Sequence, residues 1–199
     1  MKKLLVLLLA LALLAGIFVA CESGEGEVTT EGAAELGELV DHVATLKFNP
    51  NSGRAYTEAT VKTFVDGDTT HFNVPTSIIP TGVLKARYLG INTPESTGQI
   101  EPWGKKASNY TKAALSGATS IIVESDNAGW NPDSTGDRHL VWVWYKNADM
   151  TDYRCLNLEI LQNGLAVASK SSDTAYADIC TQILYQASTH KLYVHSKEM

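Results

Sequence analysis

Three short segments, far apart in the chain, carry residue types that phosphodiester cleavage needs. They are Val65-Asp66-Gly67-Asp68-Thr69, then Arg87 to Glu95, then Asp137-Arg138-His139-Leu140. A phosphate gathers negative charge on its oxygens as water attacks, and fixed cations must meet that charge. Arg87 and Arg138 suit this task, because a guanidinium stays protonated and its planar fork meets two oxygens at once. The attacking water must be oriented and relieved of a proton, which a carboxylate such as Glu95 can do. A further carboxylate, Asp66 or Asp68, can ligate a hard cation that polarises the phosphoryl oxygen. Each segment also has a bland explanation. Asp-Gly favours hairpin turns with no function attached, and charged residues are common at strand ends.

The elements that must position these residues are legible in outline. Ala59 to Val65 is rich in β-branched residues and ends at the Asp66-Gly67-Asp68 turn. Thr69 to Val74 returns as the second arm of a hairpin. Val83 to Ile91 reads as a third strand, Ser120 to Glu124 as a fourth and Leu140 to Tyr145 as a fifth. Lys105 to Leu115 has helical spacing and stops at Gly117. A short helix is expected at Leu156 to Leu161, and another capped by Ser172 or Asp173 and running to Leu184. Five strands with one inserted helix and two trailing ones describe an α+β fold, a five-stranded OB-type β-barrel with about three flanking helices. Trp142 and Trp144 share one strand face and are expected in the core.

Together the three segments resemble the staphylococcal nuclease (thermonuclease) family. The likeness covers roughly residues 58–196. It is strongest at Arg87 to Glu95, at Trp103-Gly104-Lys105-Lys106-Ala107-Ser108, and at Asn157-Leu158 to Leu165-Ala166. The resemblance implies a Ca2+-dependent endonuclease acting on DNA and on RNA with little sequence specificity, leaving a 3′-phosphate. It implies that Asp68, Asn92 and the Thr93 carbonyl hold the metal. Arg87 and Arg138 would hold phosphate, Glu95 would serve as general base, and Asp66 would be a supporting acid.

Three departures from the family pattern stand out. Asn92 occupies a position where a second metal-binding Asp is usual; an amide oxygen can ligate Ca2+ but brings no charge. The loop Asp133 to Asp137 lacks the Lys and Tyr that help hold the nucleotide. Ala168-Ser169-Lys170-Ser171 lacks the expected tyrosines, which leaves Lys170, Tyr176 or Trp130 as candidates for substrate grip. The five histidines share no metal-ligand spacing.

Composition by itself points elsewhere. The 199 residues carry a formal net charge of -6, unlike a protein that coats nucleic acid. The acidity is local, however: residues 22–42 hold seven acids and no Lys or Arg, and from residue 43 onward 14 basic residues face 15 acidic ones. The folded part is therefore nearly neutral, and converging arginines can still make a phosphate site there.

Residues 1–20 read as a signal peptide, with Lys2 and Lys3 before the apolar run Leu4 to Ala20. The Phe18-Val19-Ala20-Cys21 ending is similar to a bacterial lipoprotein signal, with Cys21 as the lipidated residue; an ordinary secretion signal or an uncleaved anchor is the other reading. Residues 21–36 form an expected acidic disordered tether, 37–57 an N-terminal extension with a short helix, and 58–199 the nuclease-like domain. In an exported chain Cys155 and Cys180 can form a disulfide or remain two buried thiols. The expectation is an exported, membrane-anchored monomer with nucleic acid as substrate and no protein partner. The alternative is a catalytically impaired nucleic-acid-binding module of the same fold.

Overall fold

The structure is a computed structural model that describes residues 37–196. The expected signal peptide, the lipidated Cys21 and the tether lie outside the described residues. No helix among the described residues is long and apolar enough to cross a membrane.

The strands are β1 (Tyr56–Glu58), β2 (Thr60–Asp66), β3 (Thr69–Asn73), β4 (Val83–Tyr88), β5 (Gly90–Asn92), β6 (Ser120–Glu124), β7 (His139–Lys146), β8 (Arg154–Cys155) and β9 (Val167–Ser169). The helices are α1 (Gly104–Ser116), α2 (Leu156–Gln162) and α3 (Ala177–Thr189). The main sheet runs β1-β6-β7-β4-β3-β2, with β8 added to β7. Its two ends, β1 and β2, are consecutive in the chain. Ala59 between them donates its N–H to the Ile121 carbonyl of β6 at 3.0 Å. The strand path thus returns on itself, and the α+β class and OB-type strand order agree with expectation.

The pairing at the centre of the sheet sets where the arginines stand. β4 and β7 are parallel, with Arg87 opposite Leu140 and Ala86 opposite His139. β4 alternates, placing Leu84, Ala86 and Tyr88 in the core and Lys85 and Arg87 on the other face. β7 has five consecutive buried residues, Val141 to Tyr145, because both its faces are covered.

Several expectations need correction. Val83 to Ile91 is two strands rather than one. Gly90 adopts φ +83°, and a Cβ there would lie 3.0 Å from the Trp142 ring. β5 turns away to pair with β9. The extension holds only a short 3-10 helix, Val43–Thr45, and then β1. α3 starts at Ala177, without a Ser172 or Asp173 cap. Asp126 holds the Ala175 N–H at 3.0 Å instead, so residues 172–176 form a turn.

Cys155 and Cys180 are free, buried thiols and not a disulfide. Cys155 sits at the β8–α2 junction, and the Cys180 sulfur packs near Gly90 beside Trp142. Each thiol fills apolar space as a small hydrophobe.

Trp142 and Trp144 are fully buried, and both indole N–H groups are satisfied, by Asp126 and Glu124 at 2.8 Å. Tyr176 packs edge-on against both rings and donates its hydroxyl to Glu124 at 3.0 Å. Arg54 pairs with the same buried Glu124 at 2.7 Å. Further up the extension, the Gln186 amide takes both the N–H and the carbonyl of Val40. Asp41 meets Arg154 and Gln162. The extension is thereby tied to the body by satisfied polar contacts at both its ends.

Candidate active site

The site begins at the β2–β3 turn. Gly67 has no room for a side chain: a Cβ would lie 2.9 Å from both Ala107 of α1 and the Thr93 hydroxyl oxygen. Thr111 of α1 donates to the Gly67 carbonyl at 2.5 Å. This close packing presses the hairpin tip against α1 and against the loop after β5. Asp66 and Asp68 flank it, both buried. Asp66 accepts the N–H of the next residue, Gly67, at 2.8 Å.

Asp68 is the hub. One carboxylate oxygen takes the Thr93 N–H at 2.8 Å. The other takes the Thr69 hydroxyl at 3.1 Å and forms an ion pair with Arg87. Arg87 reaches Asp68 because Thr69 and Arg87 are cross-strand partners on β3 and β4. Its second terminal nitrogen donates to the Asn92 side-chain oxygen at 2.5 Å. Asp68, Arg87, Asn92 and Thr93 are thus in direct contact.

Glu95 stands on the following loop, which is braced twice. Its N–H donates to the Glu101 carboxylate and its carbonyl accepts the Glu101 N–H, both at 2.9 Å. Gly104 opens α1 directly against that carbonyl, where a Cβ would collide. The Glu95 carboxyl lies above the ordinary carboxylate range. Its hydrogen bond with Asp66 is the main cause, followed by burial and by the charges of Asp66 and Glu101, with Arg87 opposing.

Arg138 immediately precedes β7. Its Nε donates to Asp133 at 2.7 Å, and the Asp133 N–H returns a bond to the Arg138 carbonyl at 2.7 Å. Lys85 pairs with Asp137 at 2.6 Å and fastens the same loop to β4. Arg87 and Arg138 line one cleft of about 190 Å³ together with Asp133, Leu140 and Lys170. Burial lowers the Arg87 pKa, and the nearby charge of Arg138 lowers it further.

Asp68, Arg87, Asn92 and Thr93 are therefore in contact, Glu95 lies near enough to Arg87 to feel its charge, and Arg138 shares a cleft with Arg87. Of the three grip candidates, Lys170 lines the cleft. Tyr176 does not: it is core, held by Glu124 and the two indoles. Trp130 packs partly buried against the core. Sequence reasoning passed over Asp133 as the partner of Arg138 and Glu101 as the brace of Glu95. Their spacings of five and six residues within polar loops were the only signal.

Among the described residues no three His, Cys, Asp or Glu side chains form a ready metal-ligand cluster. The two side-chain groups that could ligate a cation there, the Asp68 carboxylate and the Asn92 amide oxygen that Arg87 bridges, are nevertheless oxygens. The space between Asp68 and Asn92 accommodates a cationic guanidinium, so this set fits a hard cation, with one carboxylate fewer than a strong site carries.

A family model described as staphylococcal nuclease homologue matches residues 85–193, more than half of the chain. Nothing among curated proteins matches. The match contains Arg87, Asn92, Thr93, Glu95 and Arg138. The Asp66 and Asp68 hairpin lies before it and joins the site through the β3–β4 register.

Proposed function

The chain belongs to the staphylococcal nuclease homologue family, and on that premise we propose that it is a Ca2+-dependent endonuclease that hydrolyses DNA and RNA with little sequence specificity. The observation that carries this reading is the shared cleft of Arg87 and Arg138 beside the Glu95 carboxyl.

Arg87 binds the scissile phosphate through the N–H groups that Asp68 and Asn92 leave free. Arg138, steadied by Asp133, meets the charge that develops on the phosphoryl and leaving oxygens. Glu95 orients the attacking water and takes its proton. A carboxylate with a raised pKa is a stronger base than an ordinary one. When bound, Ca2+ supplies Lewis-acid polarisation of a phosphoryl oxygen, and Asp68, Asn92 and the Thr93 carbonyl would hold it. Lys170 adds a third positive charge to the cleft wall. Contacts to phosphate and sugar carry no sequence information, which accords with low specificity.

The same proposal includes export and anchoring through an acylated Cys21, with the acidic segment 21–36 as spacer and the domain acting as a monomer. Its support is the basic-then-apolar N-terminus ending at Ala20-Cys21.

Asn92 favours one rival, a nucleic-acid-binding module of this fold that does not cut. Plasmid digestion by the full chain across a Ca2+ titration, with chelator and Glu95→Gln controls, separates the two. The nuclease reading expects Ca2+-dependent cutting that falls about 10²–10⁴-fold in the variant. Retention of plasmid in a gel shift with no cutting at millimolar Ca2+ favours the binding module.

A further inference from the structure

A second groove lies on the far side of the Glu95 loop. Pro94, Glu101, Pro102 and Trp103 form one wall, and Tyr193 and Val194 form the other, around a volume of about 490 Å³. It is roomier than the arginine cleft and more apolar. Trp103 and Tyr193 meet edge-on with ring centroids 5.1 Å apart. The Lys106 ammonium sits 4.1 Å from the Tyr193 ring centre. Ile100, on the same loop, is 57% exposed.

Three features make this more than an apolar dent. First, its walls are held in place. Trp103 adopts φ +68°, uncommon for a bulky residue, and is followed at once by the tightly packed Gly104. The Tyr193 turn is fixed by Val194 N–H bonding to the Gly164 carbonyl at 3.0 Å. Second, the groove is continuous with the candidate active site. Pro94 precedes Glu95, and Glu101 both lines the groove and holds the Glu95 N–H. Third, its chemistry is mixed in a particular way. Aromatic and proline faces line the interior, while Lys105 and Lys106 stand exposed at the start of α1.

We propose that this groove is a base-stacking subsite for an unpaired nucleotide of the substrate strand, beyond the two that flank the scissile bond, with Trp103 and Tyr193 as the platform and Lys105 and Lys106 meeting the adjacent phosphates. The proposal rests on the nuclease reading of the arginine cleft. Every base has a π-face, so such a platform grips a strand without reading its sequence. A base must be unpaired to enter, so the subsite favours single strands or frayed duplex.

The test compares the full chain on two substrates, a thymidine oligonucleotide and a thymidine dinucleotide too short to reach the groove. Trp103→Ala and Tyr193→Ala are expected to raise KM for the oligonucleotide roughly tenfold, with kcat and the dinucleotide kinetics retained. Trp103→Phe should recover most of the loss. Irradiating a 5-bromodeoxyuridine oligonucleotide bound in chelator should crosslink to the peptide holding Trp103 or Tyr193. If Trp103→Ala also loses dinucleotide cleavage, it has disturbed Glu95, and Tyr193→Ala, which lies off that loop, decides. Equal losses on both substrates for Tyr193→Ala, or crosslinks confined to other peptides, would overturn the subsite while leaving the nuclease intact. Failure of the unmodified chain to cut either substrate would overturn the nuclease reading and the subsite with it.

Discussion

Arg87 donates to the side-chain oxygen of Asn92 at 2.5 Å while its other terminal nitrogen is paired with Asp68. One guanidinium therefore bridges the two side chains expected to hold the metal. Arginine and cation compete for the same oxygens, and Asn92 contributes no charge toward resolving that competition in the metal's favour.

Asn92→Asp restores the missing charge. Its expected effect is a Ca2+ dissociation constant about tenfold lower, equivalent to ~1.4 kcal/mol. Isothermal titration with Ca2+ reads this directly, without reference to turnover. An unchanged affinity would place Asn92 outside the metal's ligands.

Gly104 is the point where α1 meets the Glu95 carbonyl, with no space for a methyl group. Gly104→Ala must push the Glu95 loop away. A displacement of about 1 Å at a catalytic group costs on the order of 10² in rate. Steady-state kinetics should show that fall in kcat, whereas nucleotide binding in the arginine cleft, followed by equilibrium dialysis, should change little.

Asp41 links the extension to α2 and to Arg154. Burial disfavours its ionised form, but the hydrogen bonds from Arg154 and Gln162 outweigh that and bring its pKa from 3.8 to about 2. The folded value is depressed, so the contribution to stability is present above pH 3.8 and is lost as the pH falls through about 2. Asp41 is 48% exposed and Arg154 24%, and the effect is small, a Tm change of about 2–4 °C or less. Asp41→Asn should show a lower Tm at neutral pH and a shallower acid limb between those two values. Parallel Tm–pH curves for the two proteins would argue against the contact.

Burial pushes the Cys180 thiol up, with Asp126 adding to the effect, to about 11, and burial raises Cys155 well above its ordinary value. Neither thiol should react with Ellman's reagent in the folded chain. In denaturant, protein isolated from a lipoprotein-processing host should release two equivalents if Cys21 is acylated and three if it is free. Fewer than two would mean that Cys155 and Cys180 are oxidised after all.

Much of this architecture is readable from the chain because its signals are local. Alternating β-branched residues mark β2 and β3. The Asp66 turn marks their junction, and Arg87 to Glu95 keeps its site residues within one short stretch of sequence. What escapes is set by long-range packing. The apolar pattern of Val83 to Ile91 runs straight through the break at Gly90, which exists because Trp142 fills the space beside it. Tyr176 carries no mark that sends its ring to the indoles rather than to solvent. Asp133 and Glu101 look like any loop acids until the loops fold back. Cys155 precedes α2 and Cys180 lies in α3, the next helix, but succession of helices says nothing about whether two sulfurs meet.

The parallel ladder between β4 and β7 has a thermal consequence. Arg87 lies within that ladder, and Arg138 stands one residue before it. Their separation is a property of hydrogen-bonded backbone buried at the centre of the sheet, and such backbone opens only when the whole domain does. The grip on phosphate should therefore vanish in the same transition as the fold. Heating should produce no folded, anion-blind intermediate, and the midpoint for loss of nucleotide binding should coincide with the midpoint for loss of the sheet.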